Sequence, residues 1–361
     1  MNDPADPAPT PDPTRAQPSA AASPSPPAAP AGTPEALASG EILVGRELRA
    51  SDIHAGYGTP GSADASGAKL QRRLTLPVVL FLATCASTFW VACADWNPTQ
   101  QMQSTASVWR AVSLNWQQGL TYMGAVLAIL LTHEMGHFVM TLRHRIPASY
   151  PLCIPVPINP IGTMGALIGM EGMRANRRQI FDIGLAGPLA GLAVAAPVLW
   201  LGVKQLNLAG EPLTGELQLY NPVIVRWMIG WAHPQWADKA YWIGISQVNA
   251  MFMAGWVGML ITGLNMLPVS QLDGGHTIHG LFGRESDKIA RAFTVVAIVY
   301  VVLNLDQAAM WTVMLVLVIL MGIHHPPTSD DTIELDDRRY LIGIASLSIP
   351  ILCFPLLGLR A

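Results

Sequence analysis

Seven stretches of the chain are almost free of charge and approach the length of a membrane crossing: residues 74–95, 117–142, 181–203, 244–267, 287–304, 308–324 and 339–358. A hydrocarbon core about 30 Å thick needs roughly 20 apolar residues in a helix. The fifth and sixth stretches are short and joined only by Asn304-Leu305-Asp306-Gln307. They predict a tight helical hairpin or two segments that fail to cross fully, so the count is six to seven. Residues 150–172 are just as apolar but carry Pro151, Pro155, Pro157 and Pro160 among several glycines. Those residues forbid a spanning helix, because proline removes backbone donors and glycine loosens the chain. A re-entrant segment at membrane depth is expected there. The fold class that follows is an all-α polytopic membrane protein.

Charge changes the picture by giving it an orientation. Arg143, Arg145, Arg174, Arg177, Arg178, Arg284, Lys288, Arg291, Arg338 and Arg339 fall on one set of flanks, together with Lys69, Arg72 and Arg73. The other set holds only Arg110, Lys204, Arg226, Lys239 and Arg360. Cytosolic loops carry the excess of Lys and Arg, so the N-terminus is expected in the cytosol and the C-terminus outside. Trp96, Trp116, Trp227, Trp231, Trp236 and Trp242 then lie on the outer side, as an interfacial belt would.

Composition supports the membrane reading. Only 12% of the 361 residues are charged, against about 25% in soluble chains. A net charge of −3 argues against a nucleic-acid partner. Cys85, Cys93, Cys153 and Cys353 show no CxxC pairing and read as apolar fillers. Residues 1–70 are rich in Pro, Ala, Ser and Gly and cannot bury a core, so a disordered cytosolic tail is expected. They contain no apolar h-region and several acidic residues, which argues against a secretory signal or a transit peptide. The expected location is the bacterial inner (plasma) membrane.

The candidate chemistry sits inside the second apolar stretch. His133-Glu134-Met135-Gly136-His137 is the H-E-x-x-H zinc-protease pattern. On a helix, His133 and His137 at i and i+4 share a face and reach one metal ion, with Glu134 beside the open position. A charged group in hydrocarbon costs a few kcal/mol or more, and metal ligation supplies the counter-charge. His137 precedes Arg143 by six residues, about 9 Å at 1.5 Å per residue, so the site is recessed from the cytosolic face. A zinc held by two His needs a third protein ligand and leaves its fourth position to water. The fourth stretch ends in Asn265-Met-Leu-Pro268 and continues to Leu272-Asp273-Gly274-Gly275-His276, where Pro268 breaks the helix. Asp273 and His276, three apart, are both candidates for that third ligand.

The intramembrane HEMGH, the DIGLAGPLAG run at 182–191 and the N-x-x-P-x-x-x-L-D-G-G-H run at 265–276 resemble the site-2 protease family of intramembrane zinc metalloproteases. The segment AGWVGMLITGLNMLPVSQLDGGHTIHGLFG, with HHPP at 324–327, is similar to the chloroplast and bacterial branch that includes the ethylene-dependent gravitropism-deficient and yellow-green proteases. The resemblance covers roughly 74–330. It implies Zn2+ held by His133, His137 and Asp273, Glu134 as general base, and Asn265 holding the substrate backbone. It also implies a membrane-embedded β-hairpin or loop in 150–172, whose edge would pair with an extended substrate. The implied domains are a tail at 1–70, a protease domain at 71–330 and an extra C-terminal transmembrane helix at 331–361. The implied activity is hydrolysis of a peptide bond within or near a transmembrane segment of a membrane protein, with that protein and the bilayer as partners. The outer loop at 204–241 is too short for a PDZ domain. The small residues Gly184, Gly187, Pro188 and Gly191 read as a wall against the HEMGH helix, and Asp182 as a helix cap. The alternatives are an inactive scaffold of the same fold, which would lack a ligand or the base, and a transporter, which would show an internal repeat.

Overall fold

The structure is a computed structural model that describes residues 74–360 apart from Glu171, Glu211, Thr214, Ser270, Ala309, Ile323 and His324. The expected tail over 1–70 therefore lies outside the described residues. Among these residues three helices are long and apolar enough to cross a membrane: α1 (Thr75–Cys93), α2 (Thr105–His144) and α3 (Arg177–Lys204). Their faces are arranged for lipid rather than water. On α1, Leu76, Val79 and Leu82 are exposed while Thr84, Ser87 and Thr88 are buried. Buried Thr84 and Thr88 donate to the carbonyls of Leu80 and Thr84 on their own helix, so their hydroxyls cost little.

Helix α2 opens on a capping box between Ser104 and Ser107, which satisfies two orphan donors of its first turn. It is bent at Asn115, whose φ of −114° leaves the helical region and whose Nδ2 donates to the Cys93 carbonyl. It ends where Arg145 turns left-handed at φ 57°, a conformation that closes helices at their C-termini. Helix α3 begins on a second capping box, Asn176 with Gln179.

Between α2 and α3 the proline-rich stretch forms a hairpin, β1 (Leu152–Val156) against β2 (Gly162–Leu167), antiparallel with Val156 opposite Gly162. Its tip is pinned to two helices: Ser87 donates to the Gly162 carbonyl at 2.6 Å and Tyr122 to the Ile161 carbonyl at 2.7 Å. Gly162 stands at φ 81°, and a Cβ there would come within 2.9 Å of the Thr88 Cα. Only glycine fits that turn.

The remaining α-helices longer than one turn are α4 (Val223–Ala232), α5 (Ala250–Asn265), α6 (Asp273–Phe282), α7 (Ser286–Leu303), α8 (Met310–Met321), α9 (Asp337–Ser346) and α10 (Ser348–Cys353). Several differ from the apolar stretches. Helix α5 is 16 residues long and α8 is 12. The last stretch divides at Leu347 into α9 and α10, and Pro350 cannot donate the bond that would join them.

The hairpin is the β-hairpin expected over 150–172, and the all-helical expectation needs correction elsewhere. Strands β3 (Gln218–Tyr220), β4 (Trp242–Gly244) and β5 (Leu359–Arg360) form an antiparallel sheet with β3 in the centre. Leu219, fully buried, faces Ile243 on one side and Leu359 on the other. Strands of two or three residues are too short for an alternating pattern to announce them.

The core lies where α2, α3 and α5 meet, around Tyr122, Leu199, Phe252 and Trp256. Lipid tails are as apolar as leucine, so close van der Waals contact holds helices together in a bilayer. Gly202 faces the Phe252 backbone, and a Cβ at Gly255 would lie 2.5 Å from the Leu199 Cα. Asp182 is no cap. It is buried in the second turn of α3, where Arg339 of α9 grips it through Nε at 2.7 Å and Nη2 at 3.0 Å. His144 of α2 reaches the same carboxylate at 3.0 Å, so one buried ion-pair cluster ties α2, α3 and α9 together.

Candidate active site

His133 and His137 occupy one face of α2, as their spacing requires, and Asp273 is the first residue of α6. One ligand atom of each lies within 4.8 Å of the others. The Asp273 Oδ2 stands 3.2 Å from the His133 Nε2 and 3.3 Å from the His137 Nε2. Four ligands at 2.0–2.1 Å around a tetrahedral metal stand roughly 3.3 Å apart. Both carboxylate–imidazole distances therefore match the spacing such an ion imposes, and the set of two imidazoles and one carboxylate suits it chemically.

The ring of His137 is oriented from behind. Its Nδ1 lies 2.8 Å from the Ile183 carbonyl on α3. A carbonyl only accepts, so Nδ1 carries the proton and Nε2 offers its lone pair to the site. The carbonyl is available because α3 comes very close. A Cβ on Gly187 would overlap the His137 ring, and one on Gly191 would lie 3.0 Å from the His133 Nδ1. From the other side, a Cβ on Gly136 would lie 2.5 Å from the Ala186 carbonyl oxygen. Gly136, Gly187 and Gly191 thus remove side chains where α2 and α3 touch, as the sequence suggests for the wall, whereas a Cβ on Gly184 would instead lie 2.6 Å from the His276 Cβ of α6.

Glu134, next to His133 on α2, is 5% exposed. Strand β2 packs against α2, the helix that carries Glu134. Asn265, the last residue of α5, sits with its Nδ2 3.3 Å from the His133 Nε2. His276, the rival ligand, lies outside the group: its Nδ1 is 2.8 Å from the Nε2 of His325. His324 falls outside the described residues. Two contacts were beyond sequence reasoning, the Ile183 carbonyl and the His276–His325 pair. The first is main chain and the second joins residues 49 apart.

The sequence model of peptidase family M50 matches residues 121–305. In Arabidopsis thaliana, a relative named "Probable zinc metalloprotease EGY1, chloroplastic" is 29% identical over 234 residues, which make up 64% of this chain and 42% of that protein. The protein of the same name in Oryza sativa subsp. japonica is 32% identical over 164 residues, 45% of this chain and 28% of the relative. "Probable zinc metallopeptidase EGY3, chloroplastic" of Arabidopsis thaliana is 26% identical over 250 residues, 64% of this chain and 41% of its own length. The chain thus spans about two-fifths or less of the length of these relatives. Their chloroplastic naming lends no support to the expected bacterial plasma membrane. No solved structure matches. The family match takes in about half of the chain, from the helix of the HEMGH run past the Asp273 run, and the chain belongs to peptidase family M50.

Proposed function

We propose that the chain is an intramembrane zinc metalloprotease that cuts a peptide bond within or near a transmembrane helix of another membrane protein. The observation that carries this reading is the buried group of His133, His137 and Asp273 with Glu134 beside it. In it the two histidines and Asp273 hold Zn2+. Bound zinc would supply a Lewis acid that acidifies a water molecule and polarises the scissile carbonyl. Glu134 takes the proton from the attacking water and delivers it to the departing amine. Asn265, with both a donor and an acceptor, holds backbone groups of the substrate.

A substrate helix conceals its peptide bonds in its own hydrogen-bond ladder and must open first. In our reading the freed segment pairs with an edge of the β1–β2 hairpin, a mode that gives affinity through main-chain bonds. Support comes from the two-stranded sheet, which among the described residues leaves both outer edges without a partner strand, and from the packing of β2 against α2, the helix of Glu134. An apolar cavity of about 640 Å³, lined by Pro268, Phe293, Trp311 and Phe354 among others, gives room beside the turn that follows Asn265.

We further infer seven crossings, with the protease domain at 71–330, the last crossing within 331–361, and residues 1–70 as a cytosolic tail outside the proteolytic unit. Pairing of Leu359 with Leu219 favours a C-terminus on the side of the 204–241 loop. The bond from the Ser329 amide to the Ala175 carbonyl favours the basic side for the loop before α9. Helices α7 and α8, which lie between, then form a hairpin that crosses and returns.

The test is Glu134→Gln in membranes that contain the natural substrates. A membrane fragment should accumulate uncut with the variant and be cleaved with the wild type, while the purified variant retains about one zinc per chain, as expected for one His₂Asp site. Loss of zinc together with activity would make Glu134 a ligand. Unchanged cleavage would sink the mechanism.

A further inference from the structure

Helix α6 begins with Asp273 and packs its first turn against the end of α5, but it lacks a side-chain cap. It is 10 residues long, and its N-cap, Leu272, provides no side-chain bond. Its position is therefore set by what grips its sides. His276 and His279, three residues apart, share one face, and both turn to the loop that follows α8. The His276 Nδ1 meets the His325 Nε2 at 2.8 Å. The His279 ring stacks on the His325 ring, with centroids 4.0 Å apart and planes 3° from parallel. The His279 Nε2 reaches the Asp331 Oδ1 at 3.1 Å, and Thr328 donates to the same oxygen at 2.6 Å.

The protons in this chain of contacts can be placed. The His325 Nδ1 lies 2.6 Å from the Pro326 carbonyl, which can only accept, so that nitrogen carries hydrogen. Burial and the neighbouring His276 and His279 push His325 down to about 3, so the ring is neutral and its Nε2 bears a lone pair. His276 is then the donor in its bond to His325, and the arrangement has a single sense.

The loop itself is fastened to α3. Ser329 donates its amide to the Ala175 carbonyl at 2.9 Å, and the Arg177 amide donates to the Asp330 carbonyl at 3.1 Å. The Arg177 guanidinium also donates to the Gly280 and Leu281 carbonyls at the end of α6. Helix α3, in turn, presents the Ile183 carbonyl to His137. One frame thus orients a histidine from α2 and the carboxylate from α6.

We propose that residues 325–331 are a strap that holds Asp273 in register with His133 and His137, with His325 and Asp331 as positioning residues acting through His276 and His279. The proposal rests on the reading of the trio as a zinc site. Groups that orient metal ligands from behind are worth about 10–100-fold in metal affinity, and here the lever is a short helix instead of a direct bond to the ligand.

The test measures zinc affinity by chelator competition on the purified full chain, in wild type and in His325→Ala, Asp331→Ala and His325→Gln, together with the visible spectrum of each protein loaded with cobalt. His325→Ala and Asp331→Ala should weaken zinc about 10–100-fold and shift the cobalt bands. His325→Gln, which keeps an acceptor near the place of Nε2, should recover most of the affinity. The melting temperature of the metal-free proteins, read alongside, separates positioning from general stability. If His325→Ala lowers that temperature while zinc affinity and cobalt bands stay at wild-type values, the strap is merely structural and the proposal falls. It falls too if Gln fails to rescue while Ala weakens zinc. Failure of the wild type to bind zinc would instead overturn the metal-site reading itself.

Discussion

At the scale of single residues, chemistry with a fixed spacing could be read directly from the chain. Two histidines one helical turn apart must share a face, and the break at Pro268 marks where α5 ends. The choice between Asp273 and His276 was not open to the same reasoning, because both follow the break at plausible distances. It turns on which way α6 faces, and that depends on His325 and Asp331, some 50 residues further along the chain. The two substitutions should therefore differ in kind. Asp273→Ala removes a donor and should abolish measurable zinc retention through gel filtration. His276→Ala removes the donor to His325 and should weaken zinc by no more than about 100-fold, with stoichiometric binding restored at high free metal. The reverse order would exchange their roles.

At the scale of elements, helices were legible in their existence and less so in their ends. Apolar length foretells a helix but not the capping boxes at Ser104 and Asn176, which start α2 and α3 outside the stretches of low charge. The three-stranded sheet was invisible, since Leu219, Ile243 and Leu359 come from three distant segments. Glycine runs were readable as contact surfaces, and their consequences can be measured. Gly187→Ala places a methyl group against the His137 ring. Such overpacking costs roughly 1–3 kcal/mol, and because the ring is a proposed zinc ligand the loss should appear as at least tenfold weaker zinc binding. Gly124, on the same helix as His137, has nothing within 4 Å of a built Cβ. Gly124→Ala should leave zinc binding unchanged and raise the melting temperature slightly, in line with about 0.5–1 kcal/mol of helix propensity. Equal effects at the two sites would mean that helix–helix approach is unrelated to ligand geometry.

At the scale of the whole molecule, loop charge predicts an orientation, and the pairing of β5 with β3 bears only on which segments share a side. What charge could not decide was whether the short pair α7 and α8 crosses. Single cysteines in a background without the four native thiols address this. Ser329→Cys should react only from the cytosolic side, whereas Leu305→Cys and Arg360→Cys should react only from the outer side. Labelling of Leu305→Cys from the cytosol would reduce the crossings and invalidate the hairpin.

The short helices have a further consequence, for the bilayer itself. A 12-residue helix such as α8 is about 18 Å long, and the last of the proposed crossings is broken between α9 and α10. Both carry exposed apolar residues, among them Ile319, Leu320, Leu341 and Ile351, so this flank meets lipid with a hydrophobic belt thinner than the usual hydrocarbon core. Lipids answer such mismatch by compressing, at fractions of a kcal/mol per Å. On this flank, then, headgroups and water should be drawn inward toward the proposed zinc site, whose reaction would consume water. Reconstituted into bilayers of increasing acyl length, the enzyme should therefore cut more slowly as the membrane thickens, with its zinc content unchanged. A rate indifferent to thickness would show that water reaches the site by another path.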